Sequence, residues 1–155
     1  MALGQPPAQV ENEPVGDAEI IYRRLYDASE AFVAVDQITG ERRPSSGAFK
    51  PDADGVSVYR HDSLERHGLT ARDLLHTPIN LVVRMACSDV RSIELDVMSD
   101  PWPSDVDDPT HPRNAAHALI TGWEGLGTKE RLRRQRALVR LPSVAFVPDG
   151  ASRPG

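Results

Sequence analysis

The sequence predicts a small single α+β domain: a mainly antiparallel or mixed sheet, a few short helices and one basic C-terminal helix. Three observations predict it. Segments that alternate apolar and polar residues mark strands with one solvated face, the habit of antiparallel sheets. Short helix patterns interleave with them without a regular βαβ rhythm. The length of 155 residues suits one ordinary domain and is too short for two well-buried ones.

Residues 1–16 carry three Pro, two Gln and two Glu with little to bury, which predicts a disordered lead. Residues 148–155, rich in Pro and Gly, predict a frayed tail, so the expected folded unit is 17–147. Asp17 to Tyr26 places Ile21, Tyr22 and Leu25 on one helical face, with Asp17 and Glu19 near its start, and predicts a helix. Ala31 to Val35 predicts a short strand, and Gln37 to Glu41 a turn in which Gly40 takes a positive φ.

Gly55 to Arg60 alternates and predicts a half-buried strand. Asp62 to Gly68 predicts a two-turn helix that stops at its glycine. Thr70 and Asp73 have the spacing of a capping box. Ile79 to Ala86 is the strongest strand pattern, and Arg84 within it requires a wet face or a charge partner. Ser92 to Met98 alternates strictly and predicts a one-sided strand. His117 to Thr121 and Val144 to Val147 predict two more strands, with the longest helix over 128–141 between them.

Composition narrows the classes of function. Hydrophobic residues make up 39%, and Pro and Gly number 13 and 11, which fits one domain with long loops. A net charge of −5 excludes a chain basic throughout. No stretch approaches the roughly 18 apolar residues of a membrane span. Cys87 is the single cysteine, which rules out an intramolecular disulfide and a multi-cysteine zinc site. Its apolar surroundings predict a small buried side chain. The first residues lack the basic and apolar regions of a secretory signal, so a soluble protein of a reducing cytosol is expected.

Charge is distributed unevenly. Residues 128–141 hold six bases against one acid, whereas residues 1–127 hold 11 bases against 21 acids. Helical spacing puts Arg133, Arg136 and Arg140 on one face, with Leu132, Val139 and part of Leu138 on another. Such a rib suits a protein partner or nucleic acid; the competing reading, which we favour, pairs its arginines with acids of the same chain.

Arg42, Arg43, Ser45 and Ser46 suit an anion: forked guanidinium donors, hydroxyl donors, and a following glycine that lets backbone N–H groups approach. The segment lacks the glycine spacing and lysine of a phosphate loop. Its plainer role is a polar turn that anchors Phe49 in the core. His117 opens an apolar strand, where a structural histidine is commoner than a general base. A Ser45 or Ser46 nucleophile with His117 as base and a loop aspartate to orient it is chemically consistent, but triads are set by geometry.

Residues 100–117 are unusual in combining Asp105, Asp107, Asp108, His111 and His117, oxygen and imidazole groups that suit a divalent metal. Four prolines within 100–112 favour a stiff solvated loop instead. No cofactor or resident metal is expected; Asp107, Asp108 and His111 are the residues a metal would use. Trp102 and Trp123 are expected to pack rather than stack a ligand, and His61, His67 and His76 to have no special role.

Arg43-Pro-Ser-Ser-Gly-Ala-Phe49, Val56-Ser-Val58, Asp100-Pro-Trp-Pro103 and Ala116-His-Ala-Leu-Ile-Thr-Gly122 together give a resemblance. The chain resembles a loose group of small uncharacterised bacterial proteins that share these segments over most of residues 25–140. In that group the D-P-x-P stretch runs almost directly into A-H-A; here Ser104 to Ala115 intervenes, which weakens the metal reading. The resemblance implies that Arg43, Ser45, Ser46 and His117 merit testing and assigns no reaction. The leading expectation is a non-catalytic cytosolic accessory module contacting a protein partner or an anionic ligand through 42–49 and the helix around Arg133. The alternatives are a small enzyme acting on a nucleotide or nucleic acid, and an RNA- or DNA-binding protein that uses helix 128–141.

Overall fold

β-Branched and aromatic side chains concentrate where the sheet forms. The computed structural model describes residues 13–26, 33–35, 37–40, 42–51, 54–75, 79–101 and 112–146. Its strands are β1 (Ile20–Tyr26), β2 (Val33–Val35), β3 (Arg42–Pro44), β4 (Val56–Arg60), β5 (Ile79–Ala86), β6 (Asp96–Ser99), β7 (His117–Thr121) and β8 (Ser143–Phe146). Its α-helices are α1 (His61–Arg66), α2 (Cys87–Ser92) and α3 (Thr128–Val139). Six strands form one sheet in the order β6-β7-β4-β1-β5-β8, with antiparallel pairing throughout the described residues. Strands β2 and β3 form a separate antiparallel ribbon, and in the connection between them Gly40 takes φ 73°. The expected α+β class is the observed one.

The segment 17–26 corrects the helical expectation. It forms β1, paired along its length with β5 from Ile20↔Ala86 to Tyr26↔Ile79. Ile21 and Leu25 satisfy a helical period and a strand period equally, because residues four apart also share a strand face. Arg23 lies between them on that face, which hides the alternation. Its guanidinium is satisfied there: Nε donates to the Ala48 carbonyl at 3.0 Å and Nη1 to the Ser57 carbonyl at 2.8 Å. Pairing between β1 and β4 covers Ile21 and Tyr22, and the arginine bridges the strands just beyond it.

The predicted strand 92–98 is likewise shortened. Glu94 adopts φ 66°, unusual for a side-chain-bearing residue, and turns the chain from α2 into β6. The N-terminal boundary moves the other way, since residues 13–16 do not belong to a disordered lead. Val15 is 1% exposed in the core, Val15 N–H donates to the Val97 carbonyl at 3.0 Å, and Ser99 N–H donates to that of Glu13 at 2.7 Å. Arg91 clamps this segment, reaching the Val15 carbonyl, Asp17 and Asp96.

Alternation along the strands gives the sheet two covered faces. On one, Ile21, Leu25, Val56, Val58, Leu81, Val83, Val97 and Ile120 pack beneath Val90 of α2, Leu138 of α3 and Phe49. Phe49 belongs to a 3-10 turn, Ser46–Phe49, that packs against α3. On the other, Tyr22, Tyr59 and Val82 meet Leu64 of α1, Leu74 and Ala116. Full burial of each aliphatic side chain is worth roughly 1.5–3 kcal/mol, so both layers hold the sheet in place.

Candidate functional site

His117 begins β7, whose antiparallel register sets it opposite Tyr59 of β4. Ser57, two residues before Tyr59, faces the same side of the sheet. Asp100 follows the last residue of β6 and is locked to His117 by a reciprocal pair. Asp100 N–H donates to the His117 carbonyl at 3.0 Å, and His117 Nδ1 donates to the Asp100 carbonyl at 2.8 Å. The Asp100 carboxylate lies 3.2 Å from the same nitrogen. Nε2 lies 3.0 Å from Ser57 Oγ.

Both oxygens beside Nδ1 are acceptors, so Nδ1 carries the ring proton and Nε2 is left to accept. In the neutral ring the Ser57 hydroxyl therefore donates to Nε2. His117 is 1% exposed, whereas Ser57 is partly exposed. The Tyr59 ring packs edge-on to the imidazole with centroids 5.7 Å apart, and the Arg24 guanidinium carbon sits 4.8 Å from the Tyr59 centroid. The face thus combines a hydroxyl, an imidazole, a carboxylate and a cation.

The serine that meets His117 is Ser57. The 42–49 segment ends in the turn that packs on α3, on the opposite face of the sheet. In β4 the pattern Val-Ser-Val made Ser57 an ordinary solvated position; the register that brings it to β7 is a long-range property with no local signature.

The basic helix divides into two groups. Arg133 and Arg134 both bond the Glu130 carboxylate, and Arg134 Nη1 also donates to the Glu94 carbonyl at 2.8 Å. Glu94 adds its carboxylate, 3.2 Å from Arg134 and 3.7 Å from Arg133. Arg134 is thereby tucked down, its side chain 12% exposed against 58% for Arg133. Pairing within the chain, as expected, accounts for these two. Lys129, Arg136 and Arg140 join Arg133 along an open groove of about 630 Å³. Among the described residues no carboxylate lies within 4.0 Å of Arg136 or Arg140. Gln135 and Leu138 form the buried face, and Leu132, expected there, is 41% exposed.

Other sequence candidates fall into place as structural residues. Cys87 is buried, and desolvation pushes its thiol up to about 12, far from a reactive thiolate. Trp123 is buried and donates Nε1–H to the Ile120 carbonyl at 2.9 Å. His61 bonds Tyr22 Oη through Nδ1 at 2.8 Å, and His67 bonds the Ser63 carbonyl at 2.8 Å. Trp102, Asp105, Asp107, Asp108, His111 and His76 lie outside the described residues. Among the described residues no group of three or more His, Cys, Asp or Glu is placed to hold a metal ion. The backbone of Arg42 and Arg43 lies in β3, and Ser45 precedes the 46–49 turn as a half-buried residue. No protein-family model matches the chain, and no curated protein or solved structure is significantly similar to it.

Proposed function

We propose that this protein is an accessory binding module whose α3 face takes an acidic segment of a protein partner. The observation that carries this reading is the groove along α3, where Lys129, Arg133, Arg136 and Arg140 converge. Two of those arginines, 136 and 140, have no acid of their own chain beside them among the described residues. The packing of the 46–49 turn against α3 supports the involvement of Arg42, Arg43, Ser45 and Ser46, because it brings the end of that segment to the basic helix. Among the described residues no helix is long and apolar enough to cross a membrane. A reducing cytosol is the setting proposed for it, with Cys87 buried rather than bridged.

A short acidic segment is favoured over an extended nucleic acid. The net charge of the chain is −5, so a long polyanion would meet repulsion beyond the helix. A few carboxylates would meet Lys129, Arg136 and Arg140 in a groove whose one acid among the described residues, Glu130, is bonded by Arg133 and Arg134. Fluorescence anisotropy with a labelled hexaglutamate peptide tests the reading. Binding at low salt that weakens at least about tenfold in Arg136→Glu/Arg140→Glu supports it, a loss of the size given by about 1.4 kcal/mol. Absence of binding, or binding indifferent to that variant, overturns it. The alternative of nucleic-acid binding predicts tight association with duplex DNA or RNA and a salt dependence steepening by about 0.9 in log–log slope for each phosphate neutralised.

A further inference from the structure

We propose that Ser57, His117 and Asp100 form a nucleophile relay that accepts an acyl group from a small ester, on the sheet face away from α3. This inference does not rest on partner binding by α3. Its basis is the line of contacts from the Asp100 carboxylate through His117 to the Ser57 hydroxyl, 3.2 Å and 3.0 Å long. A backbone carbonyl on Nδ1 is enough by itself to fix the tautomer of a buried structural histidine. Here the tautomer is set twice, by the carbonyl and the carboxylate of one residue, and the choice leaves Nε2 as a base aimed at a hydroxyl. Burial of the base and partial exposure of the serine fit an attacking group that meets solvent while its proton acceptor stays dry. The Arg24 cation on the same face favours neutral or anionic esters over cationic ones.

The step balances without any outside oxidant or cofactor. Ser57 Oγ attacks the ester carbonyl carbon, and its proton passes to His117 Nε2 as the Oγ–C bond forms. Collapse breaks the bond to the alcohol oxygen, which leaves with that proton, and Ser57 carries the acyl group. Water then attacks the acyl carbon and gives a proton to Nε2. The acyl–Oγ bond breaks, Oγ recovers the proton, and a carboxylic acid departs. Asp100 touches no reacting atom; it is a positioning residue that holds Nδ1–H and steadies the charged ring.

Labelling of the full chain with a fluorophosphonate probe, followed by peptide mass spectrometry, tests the relay. In that reaction Oγ bonds phosphorus, fluoride leaves and the proton goes to Nε2. The expected result is an adduct on Ser57 that is lost in Ser57→Ala and forms roughly a hundredfold more slowly in His117→Gln, the scale of general-base assistance. Asp100→Asn keeps the carbonyl on Nδ1 and is expected to label more slowly while melting near the parent temperature. Should His117→Gln fail to fold, the labelling rate of the parent against pH decides the matter. A rate that rises with pH as the ring loses its second proton supports the relay, and a flat profile overturns it. No adduct on the folded chain, or an adduct on another serine, overturns it as well.

Discussion

Glu19 and Arg60 meet across the start of β1 and the end of β4 in a two-point pair. Arg60 Nε donates to Oε2 at 3.0 Å and Nη2 to Oε1 at 2.8 Å. Their side chains are 4% and 15% exposed, so the pair is largely desolvated. Asp62 N–H donates to the same carboxylate at 3.3 Å, tying the first turn of α1 to it.

Breaking that pair from one side strands a buried carboxylate. Arg60→Leu is expected to cost about 3–5 kcal/mol in urea denaturation. Glu19→Gln/Arg60→Leu is expected to recover much of that loss, because the stranded charge is gone. A double variant no more stable than the single one would contradict this account.

Gly55 takes φ 129°, and a Cβ there would lie 2.4 Å from the Ile120 carbonyl oxygen of the neighbouring strand. Gly55→Ala must therefore strain its own backbone and push β4 from β7. A loss of about 1–3 kcal/mol from the backbone strain alone is expected, with the clash adding to it. Gly125→Ala, at φ 75° with open space around it, provides the contrast and is expected to lose about 1 kcal/mol. Thermal melts of the two variants side by side measure the difference.

Glu130 is held down to about 2 by the hydrogen bonds from Arg133 and Arg134. Its unfolded value lies near about 4.3, so its contribution to folding is complete above that pH and is lost as pH falls toward about 2. An NMR titration of the Glu130 side chain is expected to show a midpoint well below that of an ordinary glutamate. The midpoint moves up in Arg133→Ala, since Arg133 is the larger cause.

Cys87 works in the opposite sense. The folded protein keeps the thiol protonated to about 12, while the unfolded chain ionises near about 8.5. Stability is therefore expected to fall as pH rises through the interval between those values. At pH 8 a thiol reagent such as dithionitrobenzoate is expected to leave the native protein untouched and to modify one thiol in denaturant.

Legibility in the sequence followed the range of the interaction concerned. The strand Ile79–Ala86, the long basic helix and the Thr70–Asp73 cap, where Asp73 accepts Thr70 N–H at 2.7 Å, are local patterns and were readable as such. Strand β1 was not, because an inward-facing arginine satisfied by two distant carbonyls looks like a break in alternation. The segment after α2 was half readable: its alternation is real, but Glu94 in a left-handed conformation delays the strand. At the site, His117 stood out as a histidine opening an apolar strand. Ser57 and the role of Asp100 depend on strand register across 60 and 17 positions, which no neighbouring residue encodes.

The short run Glu13 to Val15 gives β6 a partner on its otherwise outer side, through the Pro14↔Met98 bridge and its flanking hydrogen bonds. An uncovered strand in that position would offer its amides to any passing chain and invite self-association into extended sheets. This stretch of backbone is thus a guard against aggregation, held shut by Arg91 and by the buried side chain of Val15. Substitutions that loosen Val15 or Arg91 would show themselves as loss of solubility on storage before any loss of secondary structure.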